Sequence, residues 1–253
     1  AYEIYQGDWS SDVCSSDLTG NSGHDVAQDL CASGAHVTMV QRSPTYVVSI
    51  REAQKVYSIY TEGLPFEDCD LLACSWPYPV LRRAYQLSTA EMREVDARLH
   101  DGLRKRGFRL TFGEDDTGFQ MMYLRRGGGY YFNVGCSDMI VDGRINLLQY
   151  DDIDGFTAGG LKLRSGEAKP FDLVVVATGY ETQQGFVRDT LGDAVADRIG
   201  PVWGFDDGGE LRNMWAPTAQ EGLWFTAGSL AQCRIYSRYL ALQIRAREDG
   251  LIR

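Results

Sequence analysis

Apolar and polar positions change rhythm several times along the chain, and each change marks an element. Over residues 22–33 the apolar positions Val26, Ala27 and Leu30 fall on one helical face, and Gly34 supplies a left-handed stop. Asp25 is placed in the first turn of this predicted helix, where the dipole favours a carboxylate. Residues 36–40 form a short apolar run that reads as a strand and ends at Gln41-Arg42-Ser43. A second helical period over 89–106 sets Met92, Val95, Leu99 and Leu103 along one face. Asp142-Gly143 and Gly159-Gly160 are turn signals around short strands at 145–148 and 161–163. Residues 171–177 are continuous and largely β-branched, the pattern of a strand covered on both faces of a parallel sheet. A further strand at 222–226 precedes a helix over 231–248, with Ile235, Tyr239, Leu242 and Ala246 on one side. That strand and helix form either an ordinary crossover or a helix N-terminus turned toward an anionic ligand.

Other stretches break the pattern. Residues 44–128 read as a long mixed insertion, punctuated by Pro65, Pro77 and Pro79 in its first half. Gly127-Gly128-Gly129 precedes an apolar run at 130–134 and is a flexible turn or a close approach of backbone to ligand, the turn being favoured. Residues 7–18 are rich in serine and aspartate and predict a loop, where a strand entering a glycine turn should be apolar. From Asp8 to Leu18 they match the translation of a widely used short-read sequencing adapter. Residues 1–18 are therefore expected to be a non-native leader, with a gap or a poorly fitting substitute for the first strand. The underlying nucleotide sequence decides this, because synonymous codons would exclude the adapter.

Composition narrows the function classes. The chain has 253 residues, enough for one large domain or two modest ones, and its hydrophobic (44%) and charged (24%) fractions are ordinary for a globular protein. A net charge of −10 argues against nucleic acid and anionic membranes as partners. The longest apolar run, 173–177, is too short to span a bilayer, and no signal peptide is visible. Six cysteines lack C-x-x-C spacing, which removes zinc and dithiol redox motifs and makes most of them small buried hydrophobes in a cytoplasmic protein. His24, His36 and His100 have no metal-ligand spacing.

The chemistry is concentrated at Thr19-Gly20-Asn21-Ser22-Gly23. A G-x-G-x-x-G turn binds dinucleotides because its glycines allow a tight turn, admit the pyrophosphate and let helix pack on strand. Leu18 stands where the first glycine belongs, so Gly20 is the close-approach glycine and Gly23 the packing one. Asn21, Ser22 and His24 are assigned to dinucleotide contact or helix capping, His24 being as readily a bystander. The ribose specificity position, after the second strand, carries Arg42 and Ser43 and no carboxylate. An arginine fork and a hydroxyl suit a 2′-phosphate, which selects NADPH over NADH. A surface arginine with no ligand is the lesser alternative.

Together with Ala177-Thr178-Gly179-Tyr180 and the ending Gly222-Leu223-Trp224-Phe225, Gln232 and Ser237-Arg238, this turn resembles the flavin-containing monooxygenases over essentially residues 19–253. The resemblance implies an α/β fold, a Rossmann-like NADPH-binding domain over 19–179 with a helical insertion at about 44–128. It also implies that 180–253 is the C-terminal part of a second, FAD-binding α/β domain. Ala177, Thr178 and Gly179 would be the crossing point to that domain, a plain turn being the minor alternative, and Gly228 and Gln232 would approach the flavin. The family's first dinucleotide motif and its F-x-G-x-x-x-H signature have no counterpart, so the chain reads as a C-terminal fragment whose natural packing partner is the N-terminal FAD-binding region. The implied function is an NADPH- and FAD-dependent monooxygenase that uses a flavin C4a-(hydro)peroxide to place one atom of O2 into a small organic substrate, with no catalytic side chain identifiable and the fragment inactive alone. Amine, sulfide and ketone oxygenation are not distinguished. A non-oxygenating flavin reductase and an NADP-binding module without turnover stay open as alternatives.

Overall fold

The structure is a computed structural model and describes residues 12–16, by backbone, together with 19–179 and 182–252. In chain order it begins β1 (Asp12–Ser16), α1 (Asn21–Ala32), β2 (His36–Gln41), β3 (Tyr46–Ser49) and α2 (Ile50–Ala53). Four helices follow: α3 (Phe66–Cys74), α4 (Tyr78–Val95), α5 (Ala97–Lys105) and α6 (Gly118–Arg126). Next are β4 (Tyr130–Asn133), α7 (Cys136–Val141), β5 (Ile145–Gln149), β6 (Ile153–Thr157), β7 (Gly160–Leu163), β8 (Ala168–Pro170) and β9 (Leu173–Val176). The chain closes with α8 (Gln183–Leu191), α9 (Asp193–Ile199) and α10 (Leu230–Glu248). Among the described residues no helix is long and apolar enough to cross a membrane.

The chain divides into two compact units. The first comprises residues 1–55, 85–122 and 128–179; the second comprises 56–84, 123–127 and 180–253, so part of the 44–128 stretch groups with the C-terminal segment.

Unit one is an α/β domain built on a four-stranded parallel sheet of order β5-β2-β1-β9. The alternation along β2 explains its two covering layers, because successive side chains of a strand face opposite ways. Val37 and Met39 join Ala27 of α1, Tyr131 and Ile145 in one fully buried cluster. Val40 packs in a second cluster with Ile153, Leu161 and Leu163, supplied by the antiparallel meander β6-β7-β8. A parallel β3–β4 pair forms a separate ribbon. Helix α1 ends as its sequence predicts: Gly34 takes a positive φ of 95°, and Ala35 N–H donates to Leu30 O at 3.1 Å.

Several expectations are corrected. Of the two outcomes expected for the first strand, a gap is excluded and a substitute is present: within the stretch read as a loop, the backbone of Asp12–Ser16 pairs in parallel register with both β2 and β9. Main-chain donors and acceptors are shared by every residue type, so the backbone ladder itself can form with a polar segment. The remainder of 7–18 lies outside the described residues. The run 171–177 is covered only in part: Val175 and Val174 pack against the two clusters, while Leu173 and Val176 are 45% and 67% exposed, and β9 is terminal among the described strands of the sheet. Helix 89–106 is two helices broken at Asp96, and Val95 points outward while Met92, Asp96, His100 and Leu103 are buried. At this junction the Asp96 carboxylate accepts Ser49 N–H at 2.8 Å, which ties it to the end of β3. Asp25 lies beyond the first turn of α1, since the helix already starts at Asn21.

Unit two has a core of Val187, Ala196, Ile199, Val202, Met214, Trp215 and Leu240. The expected strand 222–226 is reduced to isolated bridges, Met214 with Phe225 and Pro217 with Trp224. Its tryptophan and phenylalanine pack into this core as side chains without a ladder on either side. Along α10 the buried positions are Ile235 and Leu240, while Tyr239 and Leu242 of the expected face are exposed.

Candidate functional site

All four strands of the sheet run parallel, so the ends of β1, β2 and β9 share one rim, where open α/β sheets bind ligands. Three of the sequence-selected groups lie there: Thr19 to Gly23 after β1, Arg42-Ser43 after β2, and Ala177 to Gly179 after β9. The first two groups are neighbours, since the hydroxyls of Thr19 and Thr45 are hydrogen-bonded and buried. Ser22, Arg42, Ser43, Thr178 and Gly179 are exposed at this rim, Ala177 half-buried.

Gly20 is the N-cap of α1 and offers no side-chain hydrogen bond to the helix. The first helical bond is His24 N–H to Gly20 O at 3.1 Å, so the N–H groups of Asn21, Ser22 and Gly23 have no acceptor within the helix. An uncapped N-terminus of this kind favours an anion. Among the described residues, a Cβ on Gly20 would have Tyr130 O at 3.9 Å as its nearest contact, so these residues leave the space above the turn open. Gly23 is buried on the side of α1 that meets the sheet.

The β3–β4 ribbon braces the turn from behind. Asn21 Oδ1 accepts Phe132 N–H at 2.9 Å. The His24 ring stacks on Tyr131 at 3.8 Å and 7°, and Nδ1–H donates to Gly20 O at 3.0 Å. That bond fixes the tautomer and leaves the buried Nε2 without a partner. Burial pulls the His24 pKa down to about 4, against the weaker opposing effect of the Gly20 carbonyl. His24 is thus a neutral internal strut, and Asn21 holds the ribbon with its carboxamide oxygen; neither role is visible in the residue spacing. Cys136 packs nearby in the same core, and burial pushes its thiol up to about 12, which makes it inert at neutral pH.

Gln41, at the end of β2, has no role assigned by the sequence pattern and is fully buried. Its amide pairs with the backbone of Arg109 in both directions, Nε2–H to Arg109 O at 2.9 Å and Arg109 N–H to Oε1 at 2.8 Å. Gln149 adds a third bond to Oε1 at 3.0 Å. The Arg109 guanidinium donates to Arg42 O at 2.6 Å and to Asp151 Oδ2 at 2.8 Å.

The flavin-side candidates lie in unit two. Gly228 is exposed with φ 103°, and a Cβ there would collide with Gln232 Oε1. Gln232 is committed to a capping box with Ser229 at the start of α10, and its Oε1 also accepts the Tyr123 hydroxyl at 2.5 Å. This helix N-terminus is therefore closed by its own side chains, unlike that of α1. A cleft of about 420 Å³ lies elsewhere in unit one, bordered by Gln86, Arg93, His100 and Arg104, and none of the sequence-selected residues lines it. Among the described residues no cluster of histidine, cysteine and carboxylate side chains could hold a metal ion.

No family model matches the chain. Over 162 residues, 61% of the chain, it is 32% identical to the FAD-containing monooxygenase EthA of Mycobacterium tuberculosis, of which 32% is covered. It is 28% identical over 165 residues to a probable FAD-binding monooxygenase, AlmA, of Acinetobacter baylyi, covering 62% of the chain and 31% of that protein. The chain thus spans about a third of the length of these curated relatives. Among solved structures, a closed cyclohexanone monooxygenase covers 97% of the chain and 54% of its own length, with TM-score 0.45 and 13% identity. An oxidised steroid monooxygenase bound to NADP gives TM-score 0.41 and 15% identity over 72% of the chain and 42% of its own length. The resemblance read from the motifs is therefore also a measured one: over part of its length the chain is similar in sequence to the FAD-containing monooxygenases.

Proposed function

We propose that this chain supplies the NADPH-binding part of a FAD- and NADPH-dependent monooxygenase that acts on a small organic substrate with O2. The observation that carries the reading is the uncapped N-terminus of α1, opening at the sheet rim beside Arg42 and Ser43. Thr19 to Gly23 would cradle the pyrophosphate, with Gly20 allowing close approach and Asn21 fixing the turn. Arg42 and Ser43 would hold the 2′-phosphate, and Ala177 to Gly179 would border the nicotinamide half. When bound, NADPH supplies a hydride and FAD passes electrons to dioxygen; the protein places both and excludes water. Where a Cβ would lie, the Gly228 backbone is covered by the Gln232 side chain and the Tyr123 hydroxyl, and Gln232 does not fit as a flavin ligand, because its carboxamide oxygen already closes the α10 cap.

The reading also holds that the chain alone binds NADPH without turning it over, its flavin partner surface being the N-terminal FAD-binding region. Titration of the purified chain with NADPH, followed by cofactor fluorescence, is expected to saturate, with no NADPH oxidation on adding FAD. Absence of saturation would remove the site. Retention of FAD with steady NADPH oxidation would show that the chain works by itself.

A further inference from the structure

The end of β2 carries no carboxylate of its own, yet the fold brings one there. Asp151 follows β5, and the Arg109 guanidinium links it to the Arg42 carbonyl through bonds of 2.8 and 2.6 Å. Asp151 thus stands two hydrogen bonds and one guanidinium from the backbone that presents Arg42. That is within a Debye length at physiological ionic strength, about 8 Å. The ion pair is poorly explained as a stabilising contact: its side chains are 36% and 71% exposed, and solvent-exposed pairs of this kind add little to stability. The network beneath it is much more elaborate. A fully buried Gln41 fixes the Arg109 backbone, Gln149 fixes Gln41, and Thr45 N–H donates to Arg109 O at 3.1 Å. This scaffold holds one arginine where it can do two things at once, anchor the Gln41–Arg42 backbone and neutralise Asp151.

We propose that Arg109 and Asp151 form a specificity element for the 2′-phosphate of NADP. Arg109 is a positioning residue: it sets the backbone from which Arg42 and Ser43 project, and it masks a carboxylate that would otherwise repel the phosphate. An unmasked Asp151 would tilt the same site toward a free ribose 2′-hydroxyl, which a carboxylate accepts well. The inference rests on the reading that the β2 end meets the adenosine ribose.

The test is the ratio of NADPH to NADH affinity, measured with the full chain, for wild type, Arg42→Ala, Arg109→Gln, Asp151→Asn and the double variant Arg109→Gln/Asp151→Asn. Arg109→Gln is expected to lower the ratio about fivefold or more, the scale of one charge at this separation in a partly solvated site. Asp151→Asn is expected to raise the ratio, and the double variant to recover most of the loss. A merely structural Arg109 would weaken both nucleotides alike and would not be rescued by removing a charge. If Arg42→Ala lowers the ratio while Asp151→Asn leaves it unchanged, the inference falls and the reading of the β2 end stands. If wild type shows no preference, the two fall together. Should Arg109→Gln fail to fold, Asp151→Asn alone still decides, because it keeps every Arg109 backbone bond.

Discussion

His24 is a residue whose spacing gave no hint of its task. It opens the helix next to the glycines, where a phosphate contact was as reasonable as any other role, yet it is completely buried and faces the β3–β4 ribbon. Its folded pKa of about 4 lies below the ordinary value of 6.5, so the unfolded chain binds the proton more readily. The contribution of a neutral His24 to stability is complete above pH 6.5 and declines as the pH falls toward 4. By pH 5 the loss should reach about 2 kcal/mol from this group alone. Urea unfolding at pH 7 and pH 5 measures it, and Phe at position 24, which keeps a ring against Tyr131, should make the difference between the two pH values smaller. His100 is also pulled down by burial and contributes in the same direction, so a residual pH dependence should persist in that variant. An unchanged pH dependence in His24→Phe would mean that His24 is not the neutral strut described.

At the scale of elements, α5 and α7 pack in close contact. A Cβ on Gly102 would lie 2.8 Å from Val141 Cγ1, closer than two carbon atoms tolerate. Gly102→Ala should therefore lower stability by about 1–3 kcal/mol despite the better helix propensity of alanine. Combining it with Val141→Ala should recover part of that loss, read from the midpoint of denaturant unfolding; simple additivity of the two losses would refute the contact. Legibility in the sequence followed the range of the interactions. Helix α1, its glycine stop and β2 rest on neighbours within a few residues, and their boundaries were readable within a residue or two. The Gln41–Arg109 pair joins positions 68 residues apart, and the Arg109–Asp151 pair joins positions 42 apart. No local period encodes such contacts, which is why Arg109 and Asp151 were invisible beside Arg42 and Ser43. Likewise the apolar run before Ala177 revealed a strand but not its terminal place in the sheet, because hydrophobicity records affinity for a core and not which neighbours are present.

Across the whole molecule, the two units differ in how much regular structure they build. Unit one closes its sheet with a helix on one side and a β-meander on the other, whereas the described residues of unit two make only isolated bridges between helices. Exposed apolar side chains occur in both: Leu173 and Val176 in unit one, Leu230 at 90% exposure and Leu242 in unit two. The polar Asp12–Ser16 segment occupies the position next to β9, so the terminal strand is far more apolar than the one that supports it. Its consequence concerns handling in solution. A terminal strand of Leu173-Val174-Val175-Val176 is apolar, uncharged and free of proline, a composition that favours association through the exposed side chains of Leu173 and Val176. Light scattering of the concentrated chain should rise with time and fall in Val176→Lys, which sets a charge on the 67% exposed position without touching the nucleotide turn. Equal scattering from both chains would place the cohesive surface elsewhere. With scattering that does fall in Val176→Lys, the strand that completes one domain's sheet acts, at high concentration, as the nucleus of an assembly for which the fold has no use.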